Sequence, residues 1–169
     1  MIMLRYLPDI NSALAKSQYE SFRERFLTTF VGVPCVLEYP NGVSGSGDVD
    51  TGPLIFGRSL PATVLMMGVA QIYGDQSLAN AIAQAGETVG MPWTWKGQKR
   101  YVGGMLPIGS IIVTYTQIAR PWFASHQHHP TAAYPVSMYW RWNVHALSMI
   151  VFLPALASYF RRARSRRDK

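Results

Sequence analysis

Cysteine is almost missing from this 169-residue sequence. Cys35 stands alone, so no intrachain disulfide can form, and a zinc site built on several cysteines is excluded. A lone cysteine is more often a small buried apolar residue than a nucleophile. Acidic residues are also scarce, nine against sixteen lysines and arginines, but the resulting charge of +7 is unevenly spread. Residues 161–169, RRARSRRDK, hold six basic residues and one acidic, whereas residues 1–160 hold ten and eight. A nucleic-acid groove needs a basic stripe across the body of a domain, so nucleic acid is not an expected partner. Heptads, short-period repeats and the alternation of apolar and polar residues that marks a strand are likewise missing. The opening MIMLRYLPDIN does not read as a secretory signal, because Pro8–Asp9 stands where an apolar core should continue.

What is present is a series of helix signals. Asp9 or Asn11 can cap a helix running to about Phe30, with Tyr19, Phe22, Phe26 and Phe30 on one face. Gly32 and Pro34 stop it, and CVLEY over 35–39 fits a short extended piece. Ser59 with Pro61 starts a second helix that ends by Gly74, and Asp75 caps a third that ends at Gly90. The tight Gly74–Asp75 turn makes the two an antiparallel hairpin. Pro107 starts a fourth helix that Arg120–Pro121 closes. The expected class is all-α, with long loops over 38–58 and 91–104.

The C-terminal part reads as a membrane span. From Trp142 to Phe160 there are nineteen residues without Asp, Glu, Lys or Arg, close to the ~20 that a spanning helix needs. Tyr139, Trp140 and Trp142 sit at one end, Tyr159 and the arginines at the other. The domain division is then a helical domain over 1–120, a linker over 121–136, a transmembrane helix over 137–161 and a basic cytoplasmic tail over 162–169. Membrane lipid becomes an expected partner. The positive charges after the span put the C-terminus on the cytoplasmic side of a bacterial inner membrane, with the body on the outer face.

The run EYPNGVSGSGDVDTGPLIFGRSLPAT, the helical pair ending YGDQ and the stretch GQKRYVGGMLPIGS together resemble the C-terminal part of bacterial six-hairpin α/α-toroid proteins. The likeness is to the linalool dehydratase/isomerase-like and six-hairpin glycosidase-like types, over about residues 4–120. It implies a partial α/α-toroid of helical hairpins whose loops at one end line a substrate cleft. The implied reaction is hydrolysis or elimination on a carbohydrate or a terpenoid-like alcohol. A whole toroid needs far more than 169 residues, so the resemblance implies a fragment or subunit, completed by further helices from the same or a partner chain. The alternative is a non-catalytic membrane accessory subunit that docks onto partner helices.

Candidate site residues cluster in the two long loops. Asp48 and Asp50 are two apart, which in an extended segment places both on one face about 7 Å apart. That separation suits a pair of carboxylates doing acid/base work, with Glu38 as a third candidate. Equally, the two aspartates can fix the glycine-rich turn through side-chain bonds to its backbone. Tyr39, Arg58, Trp93, Trp95 and Tyr101 are the substrate-binding candidates. Arg58 can hold one aspartate ionised, while the aromatics can stack on a sugar ring or pack the loop down. D-V-D-T-G begins like a calcium loop, but Ser59 occupies the twelfth position and Pro53 the place of the turn glycine. His126, His128 and His129 lie in a proline-flanked segment with no acidic partner nearby. Neither a metal nor a cofactor is expected.

Overall fold

A computed structural model of the chain describes residues 1–47, 51, 54–90, 92–101, 107–123 and 139–167. Two compact units result, Met1–Val136 and Ser137–Lys169.

The first unit opens with a helix the sequence reading did not separate, α1 (Ile2–Ile10), which carries Pro8 within it. Asn11 is extended and ends α1, and its side chain accepts the Leu14 amide to cap α2 (Ser12–Phe26). Arg23 and Arg25 in the last turn of α2 face the negative end of its dipole. The expected continuation to Phe30 fails at Leu27. Residues Leu27–Phe30 are β1, which pairs antiparallel with β2 (Val33–Leu37), Leu27 opposite Val36 and Phe30 opposite Val33. A two-residue turn, Val31–Gly32, joins them with both φ positive (53° and 88°). That is the backbone hand that matches the twist of a hairpin. On its other side β2 pairs with β3 (Arg58–Ser59), so the long loop between them is closed at its base, Leu37 opposite Arg58.

Ser59 then caps α3 (Leu60–Ile72) by accepting the Ala62 amide, with Pro61 in the first turn. Gly74, at φ 72°, reverses the chain, and buried Asp75 caps α4 (Gln76–Val89). After α4 comes a second hairpin, β4 (Trp93–Trp95) and β5 (Gln98–Arg100), turned at Lys96–Gly97 with φ 49° and 76°. Helix α5 (Pro107–Gln117) follows. Inner helix α3 packs against α4, α5, β2 and α1. Its Met66, Met67, Val69, Ala70 and Ile72 form the core with Tyr19, Val36, Tyr73, Leu78 and Ile82.

These elements correct the all-α, partial-toroid expectation. The structure is about 59 % helix and 14 % strand, with the strands in two small sheets. The physical reason is the pair of positive-φ turns, each of which folds a run as short as WTW or LTTF onto its neighbour without long alternation.

The second unit is one helix, α6 (Trp140–Arg167), 28 residues with Pro154 inside. The expected transmembrane helix is also corrected. Among the described residues, no helix is long and apolar enough to cross a membrane. Arg141, Asn143 and His145 occupy the first turns of α6, and basic residues recur from Arg161. The uncharged run between Arg141 and Arg161 is interrupted by Asn143, His145 and Pro154.

Candidate functional site

The reversal at Gly74 makes α3 and α4 antiparallel. The N-terminus of α3 and the C-terminus of α4 therefore share one end, and α5 starts from that end as well. Both long loops leave the helical layer there: the loop that enters β3 and α3, and the hairpin that follows α4. The expected candidates thus divide between two structures on the same end.

The first is the neck of the 38–58 loop. The Glu38 amide donates to the Gly57 carbonyl, 3.0 Å away, and the Asn41 amide to the Arg25 carbonyl at 2.7 Å. Tyr39 crosses the loop and donates its hydroxyl proton to the Ser46 carbonyl at 2.8 Å. A Cβ added at Gly45 would meet the outer end of the Tyr39 ring at 2.6 Å, so a larger residue there has to displace that ring. Arg58 donates Nη1 to the Phe56 carbonyl at 2.7 Å and Nη2 to the Thr29 carbonyl at 3.4 Å. Its guanidinium lies 5.1 Å from the Phe30 ring centre. Its Nε is buried and has no hydrogen-bond partner among the described residues. Asp48 and Asp50 lie outside the described residues, as do His126, His128 and His129.

Beneath the neck, the Cys35 thiol donates to the Val33 carbonyl at 3.3 Å. Burial pushes the thiol pKa up, against a smaller opposing effect of the Arg58 charge, so the thiol stays protonated and weakly nucleophilic at neutral pH.

The second structure is the β4–β5 hairpin. Trp93 and Trp95 are two apart on β4 and share a face, with ring centres 5.7 Å apart and planes tilted by 45°. They are 57 % and 61 % exposed, so the rings lie open to solvent rather than packing the loop down. Their cross-strand partners Arg100 and Gln98 lie on the same face, and Arg100 Nη2 donates to Gln98 Oε1 at 3.1 Å. Lys99 is on the opposite face, where it pairs with Glu87 of α4. Tyr101 also donates to Glu87, and Gln117 of α5 donates to the Tyr101 hydroxyl at 3.4 Å. Tyr101, expected as a substrate contact, therefore ties the hairpin to two helices. The Lys99 and Tyr101 hydrogen bonds hold the Glu87 carboxyl below the usual carboxylate range.

Gln98 and Arg100 were missed from the sequence. The signal that finds them is the Lys96–Gly97 dipeptide, since a two-residue turn fixes which residue faces each tryptophan. Among the described residues, no group of three His, Cys, Asp or Glu side chains is placed to hold a metal ion.

No family model, curated protein or solved structure matches this chain. The functional reading accordingly rests on the site itself.

Proposed function

We propose that this chain carries the substrate-binding loops of an enzyme that acts on a carbohydrate or terpenoid-like alcohol by carboxylate acid/base chemistry. The observation that carries the reading is that both long loops leave the same end of the α3–α4 pair, one of them holding two solvent-facing tryptophans on a braced hairpin. The indole pair supplies broad apolar faces, while Gln98 and Arg100 beside it supply an amide and the remaining guanidinium N–H donors, which fit hydroxyl oxygens. In this proposal Asp48 or Asp50 transfers the proton, with Glu38 at the loop base as the third carboxylate. The orphaned Nε of Arg58 supports the reading, because a buried donor at the loop neck favours an ionised acceptor nearby.

The test uses the whole chain, with glycosides and tertiary alcohols as the substrate panel. Asp48→Asn and Asp50→Asn are compared for turnover and for ligand binding. The expected result is that one of them loses at least about 100-fold in turnover while binding changes by no more than a few-fold. If both variants keep wild-type turnover and binding, the acid/base assignment is wrong.

A second reading is a non-catalytic subunit that docks onto partner helices. It draws on α1, where Met3 and Ile10 are 79 % and 78 % exposed, and on the exposed Ile118, Trp122 and Phe123. Sedimentation of the chain as a monodisperse monomer at high concentration, with no catalytic loss in Met3→Lys or Ile10→Lys, counts against it.

A further inference from the structure

A cleft of about 220 Å³ opens between α1, α3 and α5, away from the loop end. Its walls are apolar, built from Leu65 and Val69 of α3, Ala119 just beyond α5, and the first turn of α1. Three polar side chains line it, Arg5, Tyr6 and Tyr115, of which Arg5 and Tyr115 are hydrogen-bonded to each other. The Arg5 side chain is nine-tenths buried, with a relative exposure of 10 %. Its Nε donates to the Tyr115 hydroxyl at 3.2 Å, and its Nη2 to the Arg120 carbonyl at 2.8 Å. Nη1 lies 3.5 Å from the Asp9 carboxylate, and no hydrogen-bond acceptor satisfies it among the described residues. Burying a guanidinium N–H without an acceptor is unfavourable by roughly 1–3 kcal/mol.

The head of the cleft is therefore rich in donors. Nη1 lacks an acceptor, and the Tyr115 hydroxyl accepts from Arg5 and keeps its own proton to give. Charge narrows the ligand further. The Arg5 charge is already balanced by Asp9, so an anion entering beside Nη1 would also meet the Asp9 carboxylate. A neutral oxygen acceptor meets the two donors without that repulsion. Size sets the rest: an apolar cavity of about 150 Å³ holds a benzene-sized ligand, so this cleft takes a molecule of about nine non-hydrogen atoms.

We propose that the α1–α3–α5 cleft is a second binding site, for a neutral carbonyl-headed amphiphile with a short apolar tail. The carbonyl oxygen accepts from Arg5 and Tyr115, and the tail lies along Leu65, Val69 and Ala119. This site stands independently of the loop-end acid/base reading and involves none of its residues.

The test is a titration of the full chain with 2-octanone, followed through the methyl NMR signals of Leu65, Val69 and Ala119. Saturable shifts with a Kd below about 1 mM are expected. Tyr115→Phe removes one donor at a half-exposed position and should weaken binding about five- to tenfold. Leu65→Trp fills the cleft and should abolish binding. Octanoate, which brings a second carboxylate to Asp9, should bind at least about tenfold more weakly than the ketone. The proposal is overturned if no saturable shift occurs at those methyls up to the solubility of the ketone, or if octanoate binds as well as the ketone. It is also overturned if the shifts persist unchanged in Leu65→Trp, or if the same signals move with protein concentration alone, which would mean that a second copy of the chain covers the cleft.

Discussion

Tyr19 of α2 gives its hydroxyl proton to Asp75, 56 residues further on, at 3.1 Å, and its ring stacks on Tyr73 with centres 4.2 Å apart and planes 8° from parallel. Asp75 is fully buried. Its Oδ1 accepts from the Ser77 hydroxyl and the Leu78 amide, while Arg23 Nη1 lies as counter-ion 3.3 Å from Oδ2, the oxygen that Tyr19 bonds. A single carboxylate thus caps α4 and clamps α2 to the α3–α4 turn.

Removing either partner should have unequal effects. Tyr19→Phe deletes one hydrogen bond and leaves Asp75 its other partners, so a loss of about 1 kcal/mol is expected. Asp75→Ala leaves Arg23 beside an empty buried position and removes the cap as well, a loss of about 3–5 kcal/mol. Chemical denaturation of the two variants checks the order; equal losses would show that Asp75 is not the hub. Burial first, and the Asp75 charge second, raise the Tyr19 pKa well above 10. A raised folded-state pKa means the stabilisation is complete below pH 10 and falls as the pH rises beyond it. Tyr19→Phe should therefore flatten the alkaline limb of the stability profile.

Val31 sits at φ 53° in the first hairpin, a region costly for a β-branched residue, by about 1–3 kcal/mol. Asparagine before Gly32 would give the Asn–Gly pair that this turn favours. Val31→Asn should raise stability by about 1 kcal/mol, or about 2–4 °C in Tm. A fall in Tm would show that the Val31 side chain contributes packing that outweighs its strain.

Two glycines in helices should respond to alanine with opposite signs. A Cβ on Gly68 would approach Ala119 Cβ at 3.1 Å and Thr116 Cα at 3.2 Å, whereas one on Gly86 meets nothing within 4 Å. Gly86→Ala should stabilise by about 0.5–1 kcal/mol through helix propensity. At Gly68 the same gain is offset by forcing α3 and α5 apart, at about 1–3 kcal/mol, so the net change should be destabilising. Paired thermal melts decide the matter, and equal signs would refute the close α3–α5 contact.

The parts legible in the sequence are those fixed by local chemistry. Ser59 with Pro61, the Gly74–Asp75 turn and Pro107 marked three helix starts, because caps and proline act within one turn. Apart from β2, which the extended piece expected over 35–39 overlaps, the strands escaped for the opposite reason. LTTF continues the aromatic helical face of α2, and only the positive-φ turn at Val31–Gly32 and the pairing with β2 make it extended. In the same way WTW and QKR are too short to show alternation, and their pairing depends on Lys96–Gly97. The span over 142–160 was read from an uncharged run with aromatic ends, and Asn143, His145 and Pro154 inside the same helix carry more weight against it than that pattern suggests. At the site, the place of Glu38 and Tyr39 in the loop after β2 was legible, whereas Arg58, Trp93 and Trp95 stand on strands β3 and β4 instead of in loops. The tethering role of Tyr101 was not legible, because Glu87 and Gln117 come from other elements.

Glu87 accepts hydrogen bonds from both Lys99 and Tyr101, and these hold its carboxyl below the usual range. A depressed folded-state pKa means the stabilisation is present above the ordinary carboxylate value of about 4.3 and is lost as the pH falls through the lowered one. The ion pair is about half exposed, with side-chain exposures of 46 % and 40 %. Global stability should therefore change little, and salt should screen part of the effect. The hairpin itself should respond. The indole N–H signals of Trp93 and Trp95 should shift cooperatively only once the pH falls below the ordinary carboxylate range, with Lys99 and Tyr101 released together. Glu87→Gln should show the released positions already at pH 7 and no further titration. An identical pH profile in the variant would mean that the hairpin is held by something other than Glu87, and the tryptophan face would lose its brace against α4.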